Sequence, residues 1–250
     1  MQLFNDDCLK VLPTIPNKSI DLILTDPPYG TTQCKWDFII PFEPMWKELK
    51  RIIKDNGCIV LFGTEPFSSY LRLSNIKWFK YDWIWQKNNT TGFSLAKKQP
   101  MRNHEIISVF YKKQCNYNPQ KTKGHKPANK SSSKSKKQSD IYGKFNKQEK
   151  GGQTDRYPKN IIHFNNVNSS KGIVHPTQKP IALMEYLIKT YTNEGETVLD
   201  FTMGSGSTGV ACVNTKRSFI GIEQDDKYFD IAQERIDNAQ RQSLIDFPTQ

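Results

Sequence analysis

The stretch from Thr197 to Gln240 leaves few folds open to this chain. TVLDF (197 to 201) has the composition of a buried strand and runs into a Gly/Ser-rich turn. STGVACVN then opens a helix, SFIGIE (218 to 223) reads as a second strand, and DKYFDIAQERIDNAQ reads as a final helix. A β–loop–α–β–α succession normally lays its strands parallel and places a nucleotide-type site at their carboxyl ends. Upstream, Ile181, Met184, Leu187, Ile188 and Tyr191 recur at spacings of three and four, which predicts a helix entered through Pro180, with Gly195 closing the turn behind it.

The first half of the chain carries the same patterning. IDLILT (20 to 25) reads as a buried strand cut off at Asp26 by two prolines, and CIVLFG (58 to 63) as another. Between them Met45, Trp46, Leu49, Ile52 and Ile53 form a helical stripe with Asn56-Gly57 as its expected stop, and Asp7 to Leu12 suits a short helix. YDWIW (81 to 85) and HEIISVFY (104 to 111) are expected to pair as neighbours in one sheet. From about Cys115 to Gly172 apolar residues thin out. Lys112 to Lys150 holds twelve lysines against Asp140 and Glu149, a local charge of +10 in a chain whose total is +11. The rest is nearly neutral, so the pattern predicts a globular body with one basic segment suited to a polyanion. Five scattered cysteines (Cys8, Cys34, Cys58, Cys115, Cys212) show no CxxC pair, which points to reduced thiols rather than disulfides or zinc. No apolar run reaches the roughly 20 residues of a membrane span, and the acidic N-terminus does not resemble a signal peptide; a cytoplasmic location is expected.

Two motifs can carry chemistry. In DFTMGSGSTG (200 to 209) the glycines let backbone approach a ligand closely, and Glu223, ending the next strand, is placed like the acids that accept ribose hydroxyls. The pair describes an adenosine site, although the glycines also satisfy GxGxxG and leave a nicotinamide or flavin site open. In DPPYG (26 to 30) a carboxylate and a rigidly held carbonyl, both acceptors, suit an exocyclic NH₂, while Tyr29 offers a ring for stacking on a planar base.

DPPY, the FxGxG-like turn FTMGSG (201 to 206) and HPTQKP (175 to 180) together resemble the signature motifs of S-adenosylmethionine-dependent DNA amino-methyltransferases, in the order of the β-class of bacterial and phage enzymes. The resemblance covers roughly residues 3 to 112 and 173 to 240. It implies an α/β fold with a doubly wound, Rossmann-like sheet, mostly parallel with one antiparallel strand. The catalytic domain is expected over 1–112 and 173–240, a basic target-recognition insertion over 113–172, and a tail over 241–250. The resemblance assigns the target base to Asp26, Pro27, Pro28 and Tyr29, and the cofactor S-adenosylmethionine to Asp7, Thr177, Lys179, Asp200, Phe201, Gly204, Ser205, Gly206 and Glu223. Thr177 and Lys179 would approach its methionine end. Asp6 competes with Asp7, because Asn5-Asp6 replaces the usual residue plus Gly.

The implied partner is double-stranded DNA, with backbone contacts from Lys121, Lys123, Lys126, Lys130, Lys134, Lys136 and Lys137; dimers occur in the family, but no interface is readable. Asp before PPY favours adenine N(6) over cytosine N(4). Methyl transfer from a sulfonium needs no metal or covalent intermediate, and carbon-5 cytosine chemistry would need a Pro-Cys dipeptide that the chain lacks. A catalytically inactive DNA-binding relative, a cytosine-N(4) enzyme and a nicotinamide oxidoreductase are the competing readings; the last leaves DPPYG, HPTQKP and the lysine segment unexplained.

Overall fold

The structure is a computed structural model that describes residues 1–31, 37–127, 151–167 and 178–246. Its described residues divide into two compact units, Met1–Asn118 with Asn160–Gln250, and Pro119–Lys159. The first unit is built on one eight-stranded sheet. In chain order its strands are β1 (Gln2–Asn5), β2 (Ile20–Thr25), β3 (Ile53–Gly63), β4 (Phe79–Thr91), β5 (Arg102–Phe110), β6 (Ile161–His163), β7 (Thr197–Asp200) and β8 (Ser218–Glu223). Their spatial order is β1-β8-β7-β2-β3-β5-β4-β6. β5 is antiparallel to both β3 and β4, and every other neighbouring pair is parallel, so β5 alone runs against the sheet, as expected.

Helices cover both faces, which is why the central strands read as continuous apolar runs rather than alternating ones. Leu22, Leu24, Val60 and Phe62 point into a core shared with α4 (Ile181–Tyr191), α5 (Ser207–Asn214) and α6 (Asp226–Asp246). Ile23, Ile59 and Leu61 point the other way, toward α1 (Cys8–Val11), α2 (Phe42–Ile52) and α3 (Phe67–Ser74). β2 is buried at all six positions. α4 is tied to β4 through Tyr191, whose hydroxyl accepts from Trp83 Nε1 at 2.6 Å and lies 3.0 Å from Tyr81 Oη.

The chain leaves β2 through α2 on one face and β7 through α5 on the other, and the two strands diverge to opposite sides of the sheet. Their shared border is a topological switch point, where α/β sheets open a crevice at the strands' carboxyl ends. The pairing Leu22 to Val198 and Ile23 to Leu199 sets the register, so Asp26 and the turn after Asp200 emerge side by side.

Several boundaries differ from expectation. α2 begins at Phe42, with Pro44 in its first turn where a missing N–H costs nothing. It stops at Ile52 rather than at Asn56-Gly57, because Ile53 already pairs with Ile20 in the sheet. β1 and β6 were not predicted: they are short edge strands of four and three residues, too brief for a readable period. The separate unit is narrower than the insertion expected over 113–172. Cys115 and Ile162 are buried beside Trp83 and Trp85, which anchors both flanks of the inserted stretch to the first unit. In the second unit Thr122 and Arg156 form an antiparallel bridge, and Lys121 pairs with Asp155 at 2.9 Å. Cys8, Cys58, Cys115 and Cys212 are buried free thiols; Cys34 lies outside the described residues.

Candidate active site

A cleft of about 300 Å³ opens at the switch point. Its walls include Asp6, Asp7, Asp26, Pro27, Pro28, Tyr29, Lys179, Asp200, Phe201, Gly204, Ser205 and Glu223, so two motifs some 170 residues apart meet in one cavity. The Thr202 hydroxyl donates to the Asp26 carbonyl at 3.1 Å, and the Phe201 N–H to Thr25 Oγ1 at 3.2 Å.

On the glycine-turn side, Asp200 accepts from the Thr208 hydroxyl at 2.5 Å and from the Thr202 N–H at 3.2 Å, bracing the turn from beneath. Burial pushes its carboxyl up to about 7, against those hydrogen bonds. Glu223 accepts from Gly204 N at 2.8 Å and Asp225 N at 3.0 Å; burial raises its carboxyl too. Its carboxylate also borders the cleft, where ligand hydroxyls would find an acceptor. Ser207 Oγ, at the start of α5, is buried in the cleft wall with no protein partner, an unsatisfied group that a polar ligand would relieve. Phe201 and Ser205 line the cleft, though Ser205 is already engaged by the Arg235 guanidinium. Gly206 is not in the cleft wall: at φ +77° it lets α6 approach, and a side chain there would press on Ala232. Asp7 caps α1 by accepting from Leu9 N at 2.8 Å, while the more exposed Asp6 pairs with Lys10 at 3.0 Å; both border the cleft. Donors and acceptors of this kind fit a nucleoside bearing a charged tail.

On the DPPY side the surroundings are more heavily charged than the motif announces. The Tyr29 hydroxyl donates to Asp26, and the Tyr29 ring packs on Phe67 with centroids 5.0 Å apart. Asp37 holds the turn open by accepting from the backbone N–H groups of Tyr29, Gly30 and Thr31 at 2.7 to 2.8 Å. Lys179 does not extend along the cofactor wall alone; its ammonium bonds Asp26 and lies 3.4 Å from Glu105 Oε2. Glu105 on β5 also bonds Lys87 on β4. Two carboxylates and two ammonium groups therefore alternate through the wall, Lys87–Glu105–Lys179–Asp26, and their formal charges cancel. Burial raises Asp26, with the nearby Glu105 charge adding to it and Lys179 opposing. Burial would also depress Lys179 and raise Glu105, but their mutual attraction prevails, holding Lys179 protonated and Glu105 ionised.

Glu105, Lys87, Asp37 and Ser207 were not singled out from sequence. Glu105 was visible as one acid in the apolar strand HEIISVFY. Lys123 and Lys126 are exposed in the second unit, whereas Lys121 is committed to Asp155 and stacks over Tyr157 at 4.4 Å. Thr177, Lys130, Lys134, Lys136 and Lys137 lie outside the described residues. Among the described residues no group of His, Cys, Asp and Glu forms a metal site, and no helix is long and apolar enough to cross a membrane.

The glycine turn and the buried, acceptor-bearing DPPY turn thus share one cleft at the switch point of a doubly wound sheet. A family model described as DNA methylase, covering N6 and N4 enzymes, matches residues 20–234, and the chain belongs to that family. It is 30% identical to the Type II methyltransferase M.HpaI of Haemophilus parainfluenzae, over 95% of this chain and 74% of the relative. It is 29% identical to the DNA adenine methyltransferase YhdJ of Escherichia coli (strain K12), over 96% and 84% respectively. The crystal structure of the M1.HpyAVI–SAM complex superposes with a TM-score of 0.63 at 27% identity, covering 94% of this chain and 98% of that one.

Proposed function

We propose that this DNA methyltransferase moves a methyl group from S-adenosylmethionine to the N(6) amine of an adenine flipped out of duplex DNA. The observation that carries the reading is the placement of Asp26: a buried carboxylate at the switch point, on the border between the cofactor-type cleft and the Tyr29 ring. The sulfonium cofactor supplies an already activated methyl, so the protein's task is the nucleophile. An aromatic amine delocalises its lone pair into the ring. Asp26 oxygens accepting its hydrogens localise that pair and aim it, which makes positioning and electrostatics the main sources of acceleration.

Tyr29 and Lys179 hold the Asp26 carboxylate in one orientation before any base arrives. The N–CH₃ bond forms as the S–CH₃ bond breaks, and the proton then shed by the amine finds Asp26 as an adjacent acceptor. The raised affinity of Asp26 for protons suits that step. Asp7, Asp200, Phe201, Gly204, Ser205 and Glu223 are assigned to the cofactor, joined by Ser207, and the basic stretch over 113–172 to target recognition. Adenine is preferred because the acid stands at the first motif position and because the relative YhdJ is an adenine enzyme by name.

Incubating the protein with unmethylated genomic DNA and methyl-labelled cofactor, then digesting to deoxynucleosides, should yield labelled N(6)-methyl-2′-deoxyadenosine. Labelled N(4)-methyl-2′-deoxycytidine would select the other amine. Asp26→Ala should abolish labelling while cofactor affinity stays within a fewfold; residual turnover near the parent's would remove Asp26 from this role.

A further inference from the structure

Beyond the base pocket, the β4–β5 hairpin overhangs the sheet. β3 ends at Gly63, opposite Ile106, yet β5 extends four residues further in pairing with β4, out to the Arg102–Thr91 pair. At about 3.3 Å per residue the overhang is about 13 Å. Because β4 runs parallel to β2, the overhang projects from the carboxyl edge of the sheet, the edge that carries Asp26. Its root is the catalytic wall itself, since Glu105 and Lys87 both belong to the hairpin.

The tip has an unusual surface. Phe93 is 84% exposed, and Leu95 and Met101 are exposed beside it. Lys97, Lys98 and Arg102 flank them, and no acid occurs between Asp82 and Glu105. An apolar tip flanked by cations, on the same edge of the sheet as Asp26, matches the chemistry of a DNA groove, in which cations meet phosphates and an apolar wedge enters the stack. Extruding a base leaves a hole in the stack beside its partner strand, and an aromatic side chain is of the right shape to fill it.

We propose that the β4–β5 hairpin is a DNA-engaging arm. Phe93 wedges into the duplex at the target base and stabilises the flipped state, and Lys97, Lys98 and Arg102 grip the flanking phosphates. The inference rests on the base-flipping reading above. It assigns the arm a task separate from the basic stretch over 113–172.

The test compares methylation of the same genomic DNA in duplex and in heat-denatured form, because unpaired bases need no wedge. Phe93→Ala should lower turnover on the duplex at least tenfold and on denatured DNA less than about threefold, with Phe93→Trp restoring most of the duplex activity. Equal losses on both forms, or no loss on the duplex, would overturn the wedge. The double variant Lys97→Gln/Lys98→Gln should reduce the slope of log affinity against log salt by about two, at roughly 0.9 per phosphate contact; an unchanged slope would overturn the phosphate grip. A wild-type protein that labels neither form of DNA would instead refute the methyl-transfer reading on which the arm depends.

Discussion

Lys179 is the residue on which the catalytic wall turns. An ammonium buried between Asp26 and Glu105 is tolerable because both carboxyl groups pair with it, and removing a partner of such a buried group costs several kcal/mol. Glu105 thus divides the hold that Lys179 exerts, and in the proposed mechanism this keeps Asp26 available to the amine. Glu105→Gln should commit Lys179 wholly to Asp26 and lower kcat about tenfold or more, with cofactor affinity little changed. The pH profile supplies the sharper readout. The Glu105 charge helps raise the Asp26 carboxyl, so neutralising it should lower that pKa and move the acid limb of kcat toward lower pH. A limb that stays put, or moves upward, would contradict the coupling. The adjacency of Lys179 to Asp26 was not legible in HPTQKP or DPPY, because it depends on where the backbone at 178–180 meets the sheet.

At the scale of elements, α4 is fastened to β4 by polar contacts inside an apolar layer. Tyr191 is 1% exposed and its hydroxyl serves Trp83 and Tyr81 together. Tyr191→Phe changes almost no volume but orphans the Trp83 N–H, so it should cost about 1–3 kcal/mol in urea unfolding; a loss under a few tenths would show that the network contributes little. The periodicity that predicts α4, the apolar runs of β2, β3, β7 and β8, and the pairing of YDWIW with HEIISVFY were all readable, because each is set by local pattern. The two edge strands and the end of α2 were not. β1 and β6 exist because a neighbour offers an open ladder, and α2 yields where the sheet captures Ile53, and neither effect has a local signal.

Across the whole molecule, the site arises from one pairing that no local pattern could specify, β2 beside β7. The motifs on those strands were recognisable singly; what the fold adds is their common border and register. That border also buries carboxylates, with a consequence for stability. Asp200 titrates near 7 in the fold against an ordinary 3.8, so the folded state holds this proton more tightly than the unfolded chain does. Its contribution is therefore present in acid, declines as pH rises from about 4 to about 7, and is flat above. Asp200→Asn should remove that decline: the urea midpoint of the variant should gain on that of the parent between pH 5 and 7 and keep a constant offset above. A gap that does not change with pH would refute the assignment. The same border governs synthesis. β2 emerges from the ribosome with one of its long edges still lacking β7, and its partner follows some 170 residues later. At about 5–20 residues per second that is roughly 10–35 s. Throughout the interval the nascent chain carries the DPPY turn with no glycine turn beside it. A polypeptide released before Thr197 would thus lack the glycine turn and Glu223, so the shared cleft is closed only by the last fifth of the chain to be translated.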